Sequence, residues 1–349
     1  MSQPIFRIQN RSLIRFFQAV AVAAFLLTLA FQGYTFVMKE HAERPLPPLF
    51  GNFNDNQDIL ERIPPKEEFS FAVAGDTRSF GTFERICEEL RKTDIDFAVL
   101  LGDCTYTGTE EQHQYLRAEW VREYALPCPV FYLVGNHDIN PKTFPLNRFE
   151  EVYGPSIFSF EYQGSLFIML RILHEKRGSN EESLAFLRSF RNKPLDQYKY
   201  IFAFMHMPPH ISPFFHSKGY PDEKELVSLF EELGVDYVFS GDFHGYARVK
   251  LRETTFIISG GGGGHLEKQP SGQFTHALMM RVTPDSVEER IVHVPESKGF
   301  VDRMERFAIV RFWPKMSRYP SVTVTLNLAV LLALILFLRF TSKCLKAAA

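Results

Sequence analysis

Apolar residues along this chain change period in a regular way, and the changes predict its elements. Runs rich in β-branched and aromatic residues at 69–74, 96–101, 129–134, 198–205 and 235–240 read as buried strands, each stopped by a polar or glycine-containing turn. Between them, 82–92, 109–124, 181–191 and 223–233 carry apolar residues at helical spacing, as with Phe83, Ile86, Cys87 and Leu90. Residues 144–153 read as a further helix, and 157–162 with 165–173 as a hairpin around Gly164. This alternation predicts a mainly parallel sheet with helical crossovers. Four more strands, 247–251, 254–259, 275–282 and 288–294, follow one another without helices and predict a second sheet packed on the first. The expected fold class is therefore α/β, a two-sheet α/β sandwich over residues 69–295.

Two stretches break this rhythm. Residues 16–38 and 319–338 contain no charged side chain. Each is long enough as a helix to cross a hydrocarbon core of about 30 Å, so transmembrane helices are expected to flank the sandwich on both sides. Arg7, Arg11 and Arg15 precede the first stretch; Arg339, Lys343 and Lys346 follow the second. Basic flanks favour the cytoplasm, which puts both tails (1–15 and 339–349) there and the domain on the non-cytoplasmic face of the cell membrane. Arg311, Lys315 and Arg318, on the domain side of the second stretch, weigh the other way. Prolines at 45, 47, 48, 64 and 65 make 39–68 read as a linker. Residues 296–318 read as a connecting segment; its aromatic and basic residues from 301 to 313 suit either a membrane interface or a helix on the domain.

Composition narrows the classes. The chain has 349 residues, 45% of them apolar and 23% charged, so it is not a disordered polymer. A net charge of −2 argues against a nucleic-acid partner held by bulk electrostatics. Outside the tail, Cys87, Cys104 and Cys128 are odd in number and form no C-x-x-C pair. No H-E-x-x-H, G-x-S-x-G or dinucleotide fingerprint is present. The five glycines 260–264 lack a following Gly-Lys-Ser/Thr and read as a flexible rim turn.

The candidate chemistry lies at strand ends. Asp76, Asp103, Asn136 within Gly135-Asn136-His137-Asp138, His206, and Asp242 with His244 each follow a predicted strand. One such residue alone is an ordinary polar turn. Five in one α/β domain point to metal, because ligands gather at the carboxyl ends of parallel strands. Carboxylate oxygen with imidazole suits Mn, Fe or Zn better than Ca. One aspartate between two ions can bridge them, and a pair about 3.5–4 Å apart can hold hydroxide and clamp an in-line displacement at phosphorus.

Gly75-Asp76, Gly102-Asp103, Gly135-Asn136-His137-Asp138, the lone His206 and Gly241-x-x-His244 resemble the five ordered motifs of the calcineurin-like metallophosphoesterase superfamily, over roughly residues 69–290. The resemblance implies a two-sheet sandwich, two metal ions and hydrolysis of a phosphate ester. Carried over by motif, Asp76 and His244 hold one ion, Asp103 bridges, Asn136 and His206 hold the other, and His137 assists the leaving oxygen. Two positions depart from the family pattern. Arg78 stands where the first motif usually has histidine; it cannot ligate, and either holds a substrate phosphate or forms an ion pair. Asp242 stands where the last motif usually has its first histidine and remains a competent ligand. Tyr106, in Gly102-Asp103-Cys104-Thr105-Tyr106, resembles the ligand tyrosine of purple acid phosphatases, which implies a ferric site, or else packs at the sheet edge. His210, His216, His265 and His276 read as rim or surface histidines. The expected partners are a phosphate-ester substrate, lipid-linked where the tether directs it, and the membrane. The alternative is a catalytically degenerate, membrane-anchored scaffold of the same fold.

Overall fold

Strands in this chain are built on alternation, and the computed structural model shows where each side goes. It describes residues 4–42, 45–78, 81–174, 178–211, 219–266, 272–296, 300, 304 and 307–347. Helix α1 (Pro4–Ala42) is followed by α2 (Asn54–Glu61), β1 (Phe69–Ala74), α3 (Thr82–Leu90), β2 (Phe97–Leu100), α4 (Glu110–Glu119) and β3 (Val130–Tyr132). Next come α5 (Leu146–Tyr153), β4 (Phe158–Tyr162), β5 (Ser165–Met169), α6 (Glu181–Arg188), β6 (Ile201–Phe204), α7 (Glu223–Glu232) and β7 (Tyr237–Ser240). Four strands, β8 (Tyr246–Leu251), β9 (Thr254–Ser259), β10 (His276–Val282) and β11 (Val287–His293), precede α8 (Trp313–Arg318) and α9 (Pro320–Ala347).

Two compact units result, residues 42–306 and the terminal segments 1–41 with 307–349. In the first, two sheets run β11-β10-β1-β2-β3 and β4-β5-β6-β7-β9-β8. β1, β2 and β3 are parallel, as are β5, β6, β7 and β9. Phe69, Phe71 and Val73 of β1 point into the layer between the sheets; Ala72 and Ala74 point to the outer helices. That inner layer is dense in phenylalanine. Phe71 lies flat on Phe97 (5.2 Å between ring centres) and edge-on to Phe167, Phe202 and Phe239. Stacked and edge-to-face rings bury large apolar area with favourable quadrupole contacts, which fixes the separation of the sheets.

Three expectations are corrected. The C-terminal strands do not form a sheet of their own. β8 and β9 extend the second sheet, and β10 and β11 extend the first. Every residue of β9 is buried, so it needs a neighbour on each side; β8 alternates in burial and takes the edge. Nor is 39–68 a bare linker. Leu49 to Gly51 hydrogen-bond along Val130, Phe50 stacks on Trp120 at 3.8 Å, and Asn52 is bonded to the backbone of Tyr132 and Pro155. This segment caps the open edge of β3. The glycines 260–264 are largely buried rather than a rim turn: the Gly262 and Gly264 N–H groups donate to the Gly75 and Asp76 carbonyls.

In the terminal unit, two helical stretches, Arg11–Tyr34 and Pro320–Lys346, are long and apolar enough to cross a membrane. They lie side by side and antiparallel. Gln18 donates to Thr341, and Gln32 and Asn327 exchange amide hydrogen bonds. Part of the connecting segment 296–318 falls outside the described residues; Phe312 packs on Phe31 and Trp313 is buried.

His276 is also corrected. It is buried on the glycine run, with Nδ1 donating to the Phe274 carbonyl and Nε2 facing the Ser259 hydroxyl. Burial pushes its imidazole down to about 4, helped by nearby His293 and opposed by the Phe274 carbonyl. A histidine lowered in the folded state binds its proton more readily when unfolded. Its contribution is intact above the ordinary value near 6.5 and is lost as pH falls toward about 4, at no more than about 1.4 kcal/mol per pH unit. Denaturant midpoints measured from pH 7 to 4 are expected to fall less steeply in His276→Gln than in the parent chain.

Candidate metal centre

All the predicted strand-end residues meet at one edge of the sandwich, beyond β1, β2 and β3 of one sheet and β6 and β7 of the other. Close approach of these loops requires glycine. A Cβ on Gly102, which has φ +96°, would stand 2.6 Å from the Gly135 nitrogen and 2.9 Å from His206 Nδ1. One on Gly264 would stand 2.7 Å from the Asp76 carbonyl oxygen. Asp76, Arg78, Asp103 and Asp242 all have positive φ, between 51° and 60°. Such a conformation is costly for residues with a Cβ and is typical of functional sites held by their surroundings.

Two donor groups share Asp103. In the first, Asp76, Asp103 and His244 bring ligand atoms within 4.8 Å of one another, with Asp76 Oδ1 3.2 Å from His244 Nε2. In the second, His206 Nε2 lies 2.8 Å from Asn136 Oδ1, 3.3 Å from Asp103 Oδ1 and 3.7 Å from Asp242 Oδ1. Donors about 2.0–2.2 Å from a common ion stand roughly 3 Å apart, so both groups have the spacing of a metal site. Asp76 Oδ1 is buried and accepts no aligned hydrogen bond, as an oxygen reserved for a cation would.

The histidines are oriented for the same task. His206 Nδ1 bonds the Leu101 carbonyl at 2.8 Å, and His244 Nδ1 bonds the His265 carbonyl. Each carbonyl fixes the proton on Nδ1 and turns Nε2 into the site. His137 Nδ1 is held likewise by the Tyr106 carbonyl at 2.7 Å, and its N–H donates to Asp103 Oδ1. Charges in the cluster are strongly coupled. Burial would lower His206, but Asp103, Asp76 and Asp242 hold it above its ordinary value. Burial also opposes His244, which Asp76 nevertheless lifts to about 9. Asp242 is raised by burial; Asp76, despite burial, is lowered by His244. Protons on imidazole balance carboxylates that bound cations would otherwise balance.

Arg78 and Tyr106 sit beside the first group. The Arg78 guanidinium donates to Asp103 Oδ2 at 2.8 Å and to the Thr105 carbonyl at 3.1 Å, with its centre 5.5 Å over the Tyr106 ring. His210 and His265 are exposed; His216 lies outside the described residues.

Sequence reasoning gave no role to Asp138, the buried residue that joins these loops. Its Oδ2 accepts the Asp103 N–H (2.6 Å) and Gly135 N–H (2.9 Å), and its Oδ1 accepts the Thr105 N–H (3.0 Å). Behind it, buried His113 bonds the Asp138 carbonyl and the Tyr153 hydroxyl. The signal was the acid closing Gly-Asn-His-Asp, two residues past the proposed ligand Asn136 and next to His137. The His265 contribution is a backbone carbonyl, which no side-chain pattern reveals.

Fold and site together define a two-sheet α/β domain whose strand ends gather donors at metal-site spacing. A family model for calcineurin-like phosphoesterases matches residues 49–246, more than half of the chain, and the chain belongs to that family. The family implies a dinuclear metal centre, and the paired donor groups fit one. Purple acid phosphatase 21 of Arabidopsis thaliana is 26% identical over 204 residues, covering 54% of this chain and 46% of that protein. Serine/threonine-protein phosphatase CPPED1 of Bos taurus is 26% identical over 234 residues, covering 59% of this chain and 71% of that protein. The chain spans about half the length of the plant relatives it matches. Among solved structures, the Plasmodium inner-membrane-complex anchor GAP50 aligns with TM-score 0.50 and 14% identity, over 71% of this chain and 96% of its own. A dimetal phosphatase from Danio rerio aligns with TM-score 0.50 and 12% identity, over 65% and 97%. At these identities the likeness is one of fold.

Replacing Asp138 with asparagine sets an amide NH2 against backbone donors. Asp138→Asn is expected to lower unfolding free energy by about 1–3 kcal/mol, the cost of an unsatisfied buried group, and to weaken metal uptake. Denaturant titration and elemental analysis check both; an unchanged midpoint would show that the loops hold without the carboxylate.

Proposed function

We propose that this chain is a metal-dependent phosphoesterase hydrolysing a phosphomonoester or phosphodiester. The observation that carries the reading is the pair of donor groups sharing Asp103. Asp76, Asp103 and His244 would hold one ion, and Asp103, Asn136, His206 and Asp242 would hold the other. When bound, the two ions supply Lewis-acid activation of water and of the phosphoryl oxygens. His137, positioned by Asp103 and the Tyr106 carbonyl, stabilises or protonates the departing oxygen. Carboxylates beside imidazoles favour Mn, Fe or Zn. Arg78 is committed to Asp103 and Thr105, so we assign it to the ion pair and not to substrate phosphate. Tyr106 carries that guanidinium on its ring, and we leave it outside the ligand set.

We further propose that both apolar helices span the cell membrane. Antiparallel pairing puts residues 4–15 and 339–347 at the same end, and their basic residues favour the cytoplasm, with the phosphoesterase domain on the other side. Tethering would bring the site to a lipid phosphate or diester head group. The second reading, a membrane-anchored scaffold, draws on Arg78 occupying a family ligand position.

Full-length protein purified in detergent is expected to take up two metals per chain at saturating Mn²⁺, Fe²⁺ or Zn²⁺, and to hydrolyse p-nitrophenyl phosphate or its diester only when loaded. His137→Ala is expected to lower kcat by about 10²–10⁴-fold while leaving metal content intact. No metal uptake would favour the scaffold. Much faster hydrolysis of soluble nucleotides than of any short-chain lipid phosphate would remove the lipid assignment alone. Tyr106→Phe is expected to leave metal content and colour unchanged; loss of a visible charge-transfer band would restore the tyrosine as a ferric ligand.

A further inference from the structure

The two donor groups are unequal, and Arg78 is the reason. Around His206 Nε2 the chain offers Asp103, Asn136 and Asp242, so that group has four protein donors. Among the described residues the other has three, Asp76, Asp103 and His244. Beside it stands a fixed cation. Arg78 is only 6% exposed, and the low local dielectric strengthens its repulsion of any ion placed next to it. It also takes one of the two lone pairs on the oxygen that faces the ion, which makes that oxygen a poorer donor. Asp103 Oδ1 takes the His137 N–H and faces His206, which leaves Oδ2 for the first group, and Oδ2 already accepts from Arg78.

The guanidinium is not placed to withdraw. Its other contacts are the Thr105 carbonyl and the Tyr106 ring, and the Arg78 N–H is bonded to the Asp103 carbonyl. Gly264 closes over its stem, where an added Cβ would lie 3.2 Å from Arg78 Cγ. When the first ion is absent, Arg78 still neutralises Asp103, so the centre keeps its shape with one ion bound.

We propose that Arg78 divides this centre into a resident ion, held by Asn136, His206, Asp242 and Asp103, and an exchangeable ion on Asp76 and His244. Metal availability would then switch the site between one-ion and two-ion states. The inference rests on the metal-centre reading above and goes beyond it by assigning unequal affinities and their cause.

The test is binding of Mn²⁺ to the chelator-stripped full-length protein in detergent, followed by calorimetry and by electron paramagnetic resonance of coupled Mn²⁺ pairs. The parent chain is expected to show two classes of site separated by about tenfold or more in Kd. Arg78→Gln, which removes the charge, is expected to tighten the weak class about tenfold and to narrow the gap between the two classes, with the thermal unfolding midpoint of the metal-loaded protein as the check on folding. Arg78→His, which adds a donor as well, is expected to merge the classes and strengthen the coupled signal at one equivalent beyond the first. Arg78→Lys, which keeps the charge, is expected to leave the weak class weak. Two equal tight classes in the parent, or a weak class unmoved in both Gln and His variants, overturn the inference and leave the phosphoesterase reading standing. Tightening in the Lys variant equal to that in Gln overturns the charge argument. Absence of any Mn²⁺ binding overturns both readings together.

Discussion

The carboxylate of Asp138 is the constraint on which the metal centre depends. It sits at the junction of the loops that follow β2 and β3 and takes backbone N–H groups from both. Each of those donors would otherwise be buried without a partner. Burial and the neighbouring Asp103 charge both press Asp138 toward its neutral form, so the hydrogen bonds do their tying under electrostatic load. The arrangement makes sense if cations sit on the far side of Asp103. Positive charge there would relieve the repulsion between the two acids while the backbone donors hold Asp138 in place.

That junction works only because the sheets beneath it are rigidly spaced. The phenylalanine layer sets the distance between β1–β3 and β5–β7, and hence the distance between Asp103 on one sheet and His206 on the other. A small displacement of either sheet would pull apart donors that must stand roughly 3 Å from each other. The same rigidity supports three aspartates and one arginine at positive φ. Such conformations persist where packing over-determines them, and the buried glycine run bonded to Gly75 and Asp76 supplies part of that support.

Much of this was legible in the sequence because strands announce their ends. Asp76, Asp103, Asn136, His206, Asp242 and His244 were each found as the first polar residues after an apolar run, and they do converge. Partnership was harder to read. β9 has the apolar content of any strand; only its burial on every residue puts it inside the second sheet, with β10 and β11 sent to the first. Phe50 lies among prolines that suggested a linker, yet it is the ring that stacks on Trp120. His276 looks like any histidine near a glycine run, and its burial follows from contacts across the fold. Periodicity reports which face of an element is apolar and is silent on which distant element covers it.

The terminal helices show the same division between pattern and partner. Length and hydropathy alone allow each to cross a membrane, and they say nothing of whether the two meet. Gln18, Gln32, Asn327 and Thr341 supply that information. In an apolar surround an amide gains most by finding another polar group, and two levels of such pairs select one antiparallel register over its neighbours. Sliding one helix by a turn would break the reciprocal Gln32–Asn327 amide pair and the Gln18–Thr341 bond together. The reciprocal amide pair therefore acts as a register lock. It accounts for the side-chain amides of Gln32 and Asn327 within stretches that carry no charge.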